Sequence, residues 1–185
     1  HLINDIRALQ EPGALEVVAE SEVAICLMHM QGEPRTMQLS PHYDDLISDI
    51  STFFKQRLDA LFGAGIPSER ILLDPGFGFG KTLDHNLALL RHLEVFGESG
   101  FPVFVGMSRK TMLGAITGRD VNERVFAGAA AALLAVPVLL STPAGCLLTT
   151  RLVRPARPYI RSCTLLWAFP VLSSIRLVCR IPSAS

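Results

Sequence analysis

After Val136 the sequence holds no aspartate, no glutamate and no lysine; the formal charges of residues 137–185 are six arginines, Arg151, Arg154, Arg157, Arg161, Arg176 and Arg180. All 17 acids and 11 of the 17 bases lie before that point, so the formal net charge of zero is the sum of −6 and +6. With 49% hydrophobic and 18% charged residues, the chain is neither disordered nor a basic nucleic-acid-binding protein. No partner nucleic acid is expected. A length of 185 residues sets one domain as the prior.

Other absences narrow the class further. Position 1 is His, not Met, and no signal pattern opens the chain, so the start reads as cut. Of the four cysteines only Cys26 precedes Val136, and none of His29, His42, His85 and His92 shares a zinc spacing with it. A metal held by protein ligands is therefore not expected, Cys26 reads as core, and nothing before Val136 opposes a cytoplasmic location. The uncharged run 125–150 is long enough to raise a membrane span. Gly128, Pro137, Ser141, Thr142, Pro143, Thr149 and Thr150 interrupt it, and its first part has the spacing of a core helix, so no span is expected.

What is present up to Val136 is an alternation. Short apolar runs at 2–3, 23–28, 71–73 and 103–105 read as strands. Between them Leu46, Ile50, Phe53, Phe54, Leu58 and Leu61 recur at helical steps, with Ser40 and Pro41 as start signals and Gly63 and Gly65 as stops. Leu87, Leu90 and Leu93 mark a helix behind Asp84, and residues 12–20 a shorter one. Asp120 and Glu123 look like a capping-box start for a helix burying Val125, Phe126, Ala129, Leu133 and Val136. Four strands alternating with four helices predict parallel β/α units, either about half of an eight-unit barrel or a small open sheet. In every unit the polar residues follow the strand, the edge at which α/β folds place ligands. Prolines at 137, 143, 155, 158, 170 and 182 break every candidate helix of the tail, which reads as irregular.

The densest signal is Asp74-Pro75-Gly76-Phe77-Gly78-Phe79-Gly80-Lys81-Thr82. A phosphate-binding P-loop would need glycine where Pro75 stands, and the single-residue glycine spacing does not fit the dinucleotide fingerprint. The glycines suggest a loop whose backbone closely approaches a ligand, beneath an acid that ends a buried strand; a tight turn capped by Asp74 is the plain alternative. Ser108-Arg109-Lys110 places two cations at another strand end, suited to an anionic or electron-rich ligand, or else a solvated pair. Asp74 with Asn4 could pair with a heterocycle carrying an amino group and a ring nitrogen, with Lys110 on its carbonyl or ring nitrogen. Met28, Met30, Met37, Met107 and Met112 lie near the strand ends, where they could floor an aromatic ligand or fill the core.

Taken together, four strand-end segments resemble the dihydropteroate synthase family: Ile3-Asn4-Asp5-Ile6; Leu27-Met28-His29-Met30-Gln31-Gly32 with Pro34 and Thr36-Met37-Gln38; Leu73-Asp74 through Gly80-Lys81; and Val105-Gly106-Met107-Ser108-Arg109-Lys110. The resemblance covers residues 2–136 and implies a partial pterin-binding (β/α)8 TIM barrel at 1–136, comprising strands four to seven, followed by an unmatched Arg/Pro-rich tail at 137–185. It implies condensation of 6-hydroxymethyl-7,8-dihydropterin diphosphate with para-aminobenzoate in folate biosynthesis, giving 7,8-dihydropteroate and pyrophosphate. The resemblance also implies Mg²⁺ as cofactor, sulfonamides as competitors for the aminobenzoate position, the chain being a sulfonamide target or a resistance variant, and a homodimer through late helices. Carried over by match, Asn4, Ile6, Met28, Asp74, Phe79, Gly106 and Lys110 line the pterin pocket, Asp74 and Lys110 act in catalysis, and Ser108 lies near the aminobenzoate. The family's Mg²⁺-binding Asn and third-strand Asp fall upstream of His1, and Val153-Arg154-Pro155 does not replace its final Arg-x-His-Asp segment. A tail without acids or lysine has the composition of a shifted reading frame in GC-rich DNA. The alternatives are a non-catalytic fragment with aggregation or membrane affinity, and a generic phosphate-binding α/β domain.

Overall fold

The computed structural model describes the backbone of residues 1–140, 146–152 and 163–168, and side chains up to residue 135. All four expected strands form: β1 (Leu2–Asp5), β2 (Ala24–Met28), β3 (Ile71–Asp74) and β4 (Val103–Gly106). They pair in parallel and in chain order. Helices α1 (Ala14–Ala19), α2 (Leu46–Gly63), α3 (Leu83–Arg91), α4 (Glu94–Gly97) and α5 (Thr111–Thr117) fill the crossovers, and α6 (Val125–Leu140) follows. A doubly wound sheet reverses its strand order at a switch point. This one does not, and right-handed crossovers in a constant direction put all the helices on one side, which is an arc of a β/α barrel.

The pleat sorts the strand residues between two faces. Ile25, Leu27, Ile71, Leu73, Val103 and Val105 are fully buried and join α2, α3 and α6 in the main core. On the opposite, inner face a second cluster joins Cys26 and Leu72 with Leu2, Ala24 and Phe104. Register places Asn4 beside Cys26, and Met28 beside Asp74, so the inner face ends in polar groups where the strands end.

Several local expectations are corrected. The cap of α2 is Asp45, whose carboxylate accepts from the N–H groups of Ile47 and Ser48, both at 3.1 Å; Ser40 and Pro41 lie in the preceding loop. An N-cap carboxylate facing free N–H groups outcompetes a serine five residues earlier. Helix α3 is capped by Thr82 through a capping box with His85; it buries Asn86 and Leu89, with Leu87 and Leu90 half-buried against the main core. Helix α6 turns a different face inward: Gly128, Ala131, Ala132 and Ala135 are buried, while Phe126 is 87% and Leu133 70% exposed. Small residues at i, i+3, i+4 and i+7 let the helix approach closely, so that a Cβ at Gly128 would lie 3.8 Å from the Met107 carbonyl. Helix α6 also continues past Pro137 to Leu140. Within the tail two segments are extended, β5 (Cys146–Leu152) parallel to β4 and β6 (Cys163–Ala168) antiparallel to β5; the remaining tail positions lie outside the described residues. No helix among the described residues is long and apolar enough to cross a membrane.

Candidate pterin-binding site

Among the described residues four buried side chains are polar: His29, Asp74, Lys81 and Asn86. All four belong to one place, the ends of β2 and β3, the loops that follow and the first turn of α3. Burying polar groups is costly unless they are mutually satisfied, so their convergence marks a built site.

Asp74 is its centre. The last residue of β3, it is 5% exposed, and its Oδ1 accepts from the Gly76 N–H at 2.8 Å. Asn4, at the exposed end of β1, hydrogen-bonds the same carboxyl. Burial raises the Asp74 pKa to about 6, against the lowering effects of the Gly76 N–H, Lys110, Lys81 and Asn4. Lys110 stands at the N-cap position of α5, its Nζ 4.3 Å from the centre of the Phe79 ring. Burial lowers the Lys110 pKa and the Asp74 charge opposes that shift.

The two phenylalanines of the glycine loop diverge. Phe77 is buried in the main core, and Phe79 is half-buried beneath Lys110. The glycines approach protein backbone as well as the open site. A Cβ at Gly76 would overlap the His29 carbonyl oxygen, and one at Gly80 the Gln31 carbonyl oxygen, and both residues have positive φ. The loop after β2 thus clasps the loop after β3. Gln38 donates to the Gly78 carbonyl, and the Tyr43 hydroxyl to that of Gly80 at 2.9 Å. Gly78 in turn donates to Asn86 Oδ1 at 2.7 Å, tying the loop to α3.

Lys81 occupies the centre of this clasp. Its Nζ lies 3.0 Å from His29 Nδ1 and donates to the carbonyls of Gly76 at 3.0 Å and Phe79 at 3.1 Å. Burial lowers its pKa to about 7, opposed by the Asp74 charge. His29 is held neutral, its pKa lowered to about 3 by burial and by Lys81, so its Nδ1 can accept.

The expected strand residues Asn4, Met28, Asp74 and Gly106 share the inner face of the arc. Met28 is 2% exposed beside Asp74, whereas Met107 and Met112 join the helix-side core. Ile6 is 39% exposed in the turn after β1, which runs through Ala8 and Leu9 in left-handed conformations. Asp5 accepts from the Leu9 N–H, and Arg57 of α2 holds the carbonyls of Ala8 and Leu9 at 2.8 and 3.1 Å. Ser108 is half-buried after β4, just before Arg109 at φ 58. The roles of His29, Lys81 and Asn86 were not read from the sequence. Their signal is a polar residue directly beside a buried strand or inside an apolar helix face. Among the described residues no three His, Cys, Asp or Glu side chains converge.

Comparison with known proteins agrees with this geometry. A family model described as pterin binding enzyme matches residues 1–138. The dihydropteroate synthase of Haemophilus influenzae is 48% identical over 135 residues, covering 73% of this chain and 49% of that protein. A Yersinia pestis dihydropteroate synthase in complex with a sulfonamide drug superposes with TM-score 0.75 at 48% identity, covering 80% of this chain and 53% of the other. The Xanthomonas albilineans enzyme in complex with 7,8-dihydropteroate gives TM-score 0.70 at 43% identity, covering 80% and 51%. The chain spans about half the length of the relatives it matches. A buried acid at a strand end, an arc of parallel β/α units and a match over three quarters of the sequence lead to one conclusion: the chain belongs to the pterin-binding enzyme family.

Proposed function

We propose that this chain carries the pterin-binding part of a dihydropteroate synthase. The observation that carries the reading is Asp74, a buried carboxyl at the end of β3 with Asn4 and Lys110 beside it. An ionised carboxylate there accepts from the amino group and ring N–H of a pterin, Asn4 offers a donor and an acceptor, and Lys110 donates to a ring carbonyl or nitrogen. Ile6, Met28, Phe79 and Gly106 supply the pocket's walls, and Ser108 lies toward the second substrate.

In the reaction, the amine nitrogen of para-aminobenzoate attacks the pterin methylene carbon. The carbon–oxygen bond to the diphosphate breaks, pyrophosphate leaves with the electron pair, and the amine nitrogen gives up its proton. Asp74 stabilises positive charge developing on the pterin, which is stronger in the transition state than in the ground state. Mg²⁺ belongs to this proposal as a counter-charge for the leaving diphosphate; no ligand is assigned to it among the described residues. Sulfonamides compete with para-aminobenzoate. Residues 1–136 form the functional unit and 137–185 a distinct tail. The cytoplasm is the proposed compartment, following from the folate pathway. Self-association through the exposed face of α6 gives a homodimer, which Phe126 and Leu133 support.

The test is saturable binding of a fluorescent pterin analogue to the purified chain. We expect Asp74→Ala and Lys110→Ala each to reduce affinity by at least about tenfold, the value of one lost charged hydrogen bond. Equal affinity in parent and variants, or preference for a sugar phosphate, would overturn the reading.

A further inference from the structure

We propose that Lys81 is a positioning residue of the pterin site, whose ammonium pins the glycine loop to His29 and so sets both the placement of Phe79 and the charge beside Asp74. The inference rests on the pterin reading for its ligand but not for its geometry. An ammonium has three N–H donors. Lys81 meets three acceptors, the carbonyls of Gly76 and Phe79 and the Nδ1 of His29, all between 3.0 and 3.1 Å. With His29 in the tautomer protonated on Nε2, all three donors of the charged form are satisfied.

The three acceptors are not arbitrary. Gly76 also donates to the Asp74 carboxylate, so fixing its carbonyl from one side fixes its N–H on the other. Phe79 carries the ring on which Lys110 sits. His29 directly follows β2, and its own backbone N–H donates to the Asp74 carbonyl at 2.9 Å. One buried ammonium thus ties together three points that define the pocket. A buried charge is weak as a source of stability, because apolar residues of similar volume often do as well. Its placement inside a binding loop is explained by what it does to the neighbouring carboxyl. The charged and titratable groups around it are Asp74, Lys110 and His29, with the Tyr43 ring 6.0 Å from its Nζ.

The experiment follows the Asp74 side-chain carboxyl by carbon NMR through a pH titration of the full chain without pterin, and then measures pterin-analogue affinity. In Lys81→Met the Asp74 midpoint is expected to move up by roughly 1 unit, the effect of losing one nearby opposite charge, with affinity near pH 6 falling several-fold. Lys81→Arg keeps the charge and is expected to restore the midpoint. An unchanged midpoint and affinity in Lys81→Met overturn the proposal. Should Lys81→Met not fold, the parent chain decides: slowly exchanging Lys81 ammonium protons coupled to His29 Nδ1 below about pH 6, where Lys81 is charged, support it, and rapidly exchanging ones overturn it. If the parent binds no pterin analogue while the Asp74 midpoint still depends on Lys81, the pterin reading fails and the role of Lys81 stands.

Discussion

Asp74 illustrates how one residue's surroundings translate into a pH dependence. Its carboxyl must be ionised to accept from a pterin, and burial holds its pKa at about 6 in the free protein. Below that pH the protonated acid offers one acceptor too few, so binding is expected to strengthen as pH rises through about 6 and to weaken again above about 7, where Lys81 loses the charge that positions the loop. Titrating affinity between pH 5 and 8 checks this, and Asp74→Asn should bind weakly and lack the rise at about 6. At this scale the sequence was informative wherever a residue type had one chemical use: Asp74, Asn4 and Lys110 were singled out by their positions after apolar runs. Lys81 and His29 passed as members of polar strings, because a contact across 52 residues is invisible to local pattern.

At the scale of the element, the loops decide more than the strands. The β3–α3 loop packs so tightly on the β2–α2 loop that Gly76 has no room for a side chain. Gly76→Ala would combine positive-φ strain with overlap on the His29 carbonyl, and is expected to cost about 2–4 kcal/mol of unfolding free energy in urea denaturation. Asp45→Ala removes two hydrogen bonds at the start of α2, with an expected loss of about 1 kcal/mol. A urea midpoint unchanged in either variant would contradict these assignments. The strands were legible because unbroken apolar runs have one reading in a parallel sheet. The helix faces were less so: α6 was expected to bury Phe126 and Leu133, and it buries its alanines instead. Hydrophobicity ranks side chains, whereas a helix lying close to a sheet selects small ones.

At the scale of the molecule, the parallel run of β1 to β4 leaves an arc with its crossover helices on one side and its site at one edge. The exposed apolar face of α6 is the largest consequence at this scale, with Phe126, Leu133 and Leu134 all more than half exposed. Such a patch favours a partner. Leu133→Glu combined with Leu134→Glu is expected to reduce self-association in sedimentation equilibrium without lowering pterin affinity, since neither side chain faces the site. A parent chain that is monomeric at high micromolar concentration would remove the dimer from the proposal.

The sequence by itself determined the four β/α units, the polar edge after each strand, the Asp74 loop as the centre of interest, and the break in composition after Val136. Those follow from local chemistry, in which apolar runs, caps and glycine spacing act within a few residues. Only the tertiary structure decided which acceptors surround Lys81, that the glycines make room for a neighbouring loop, and which face of α6 turns inward. Each of these is a contact between segments distant in the chain, and its energy depends on geometry that no single segment contains.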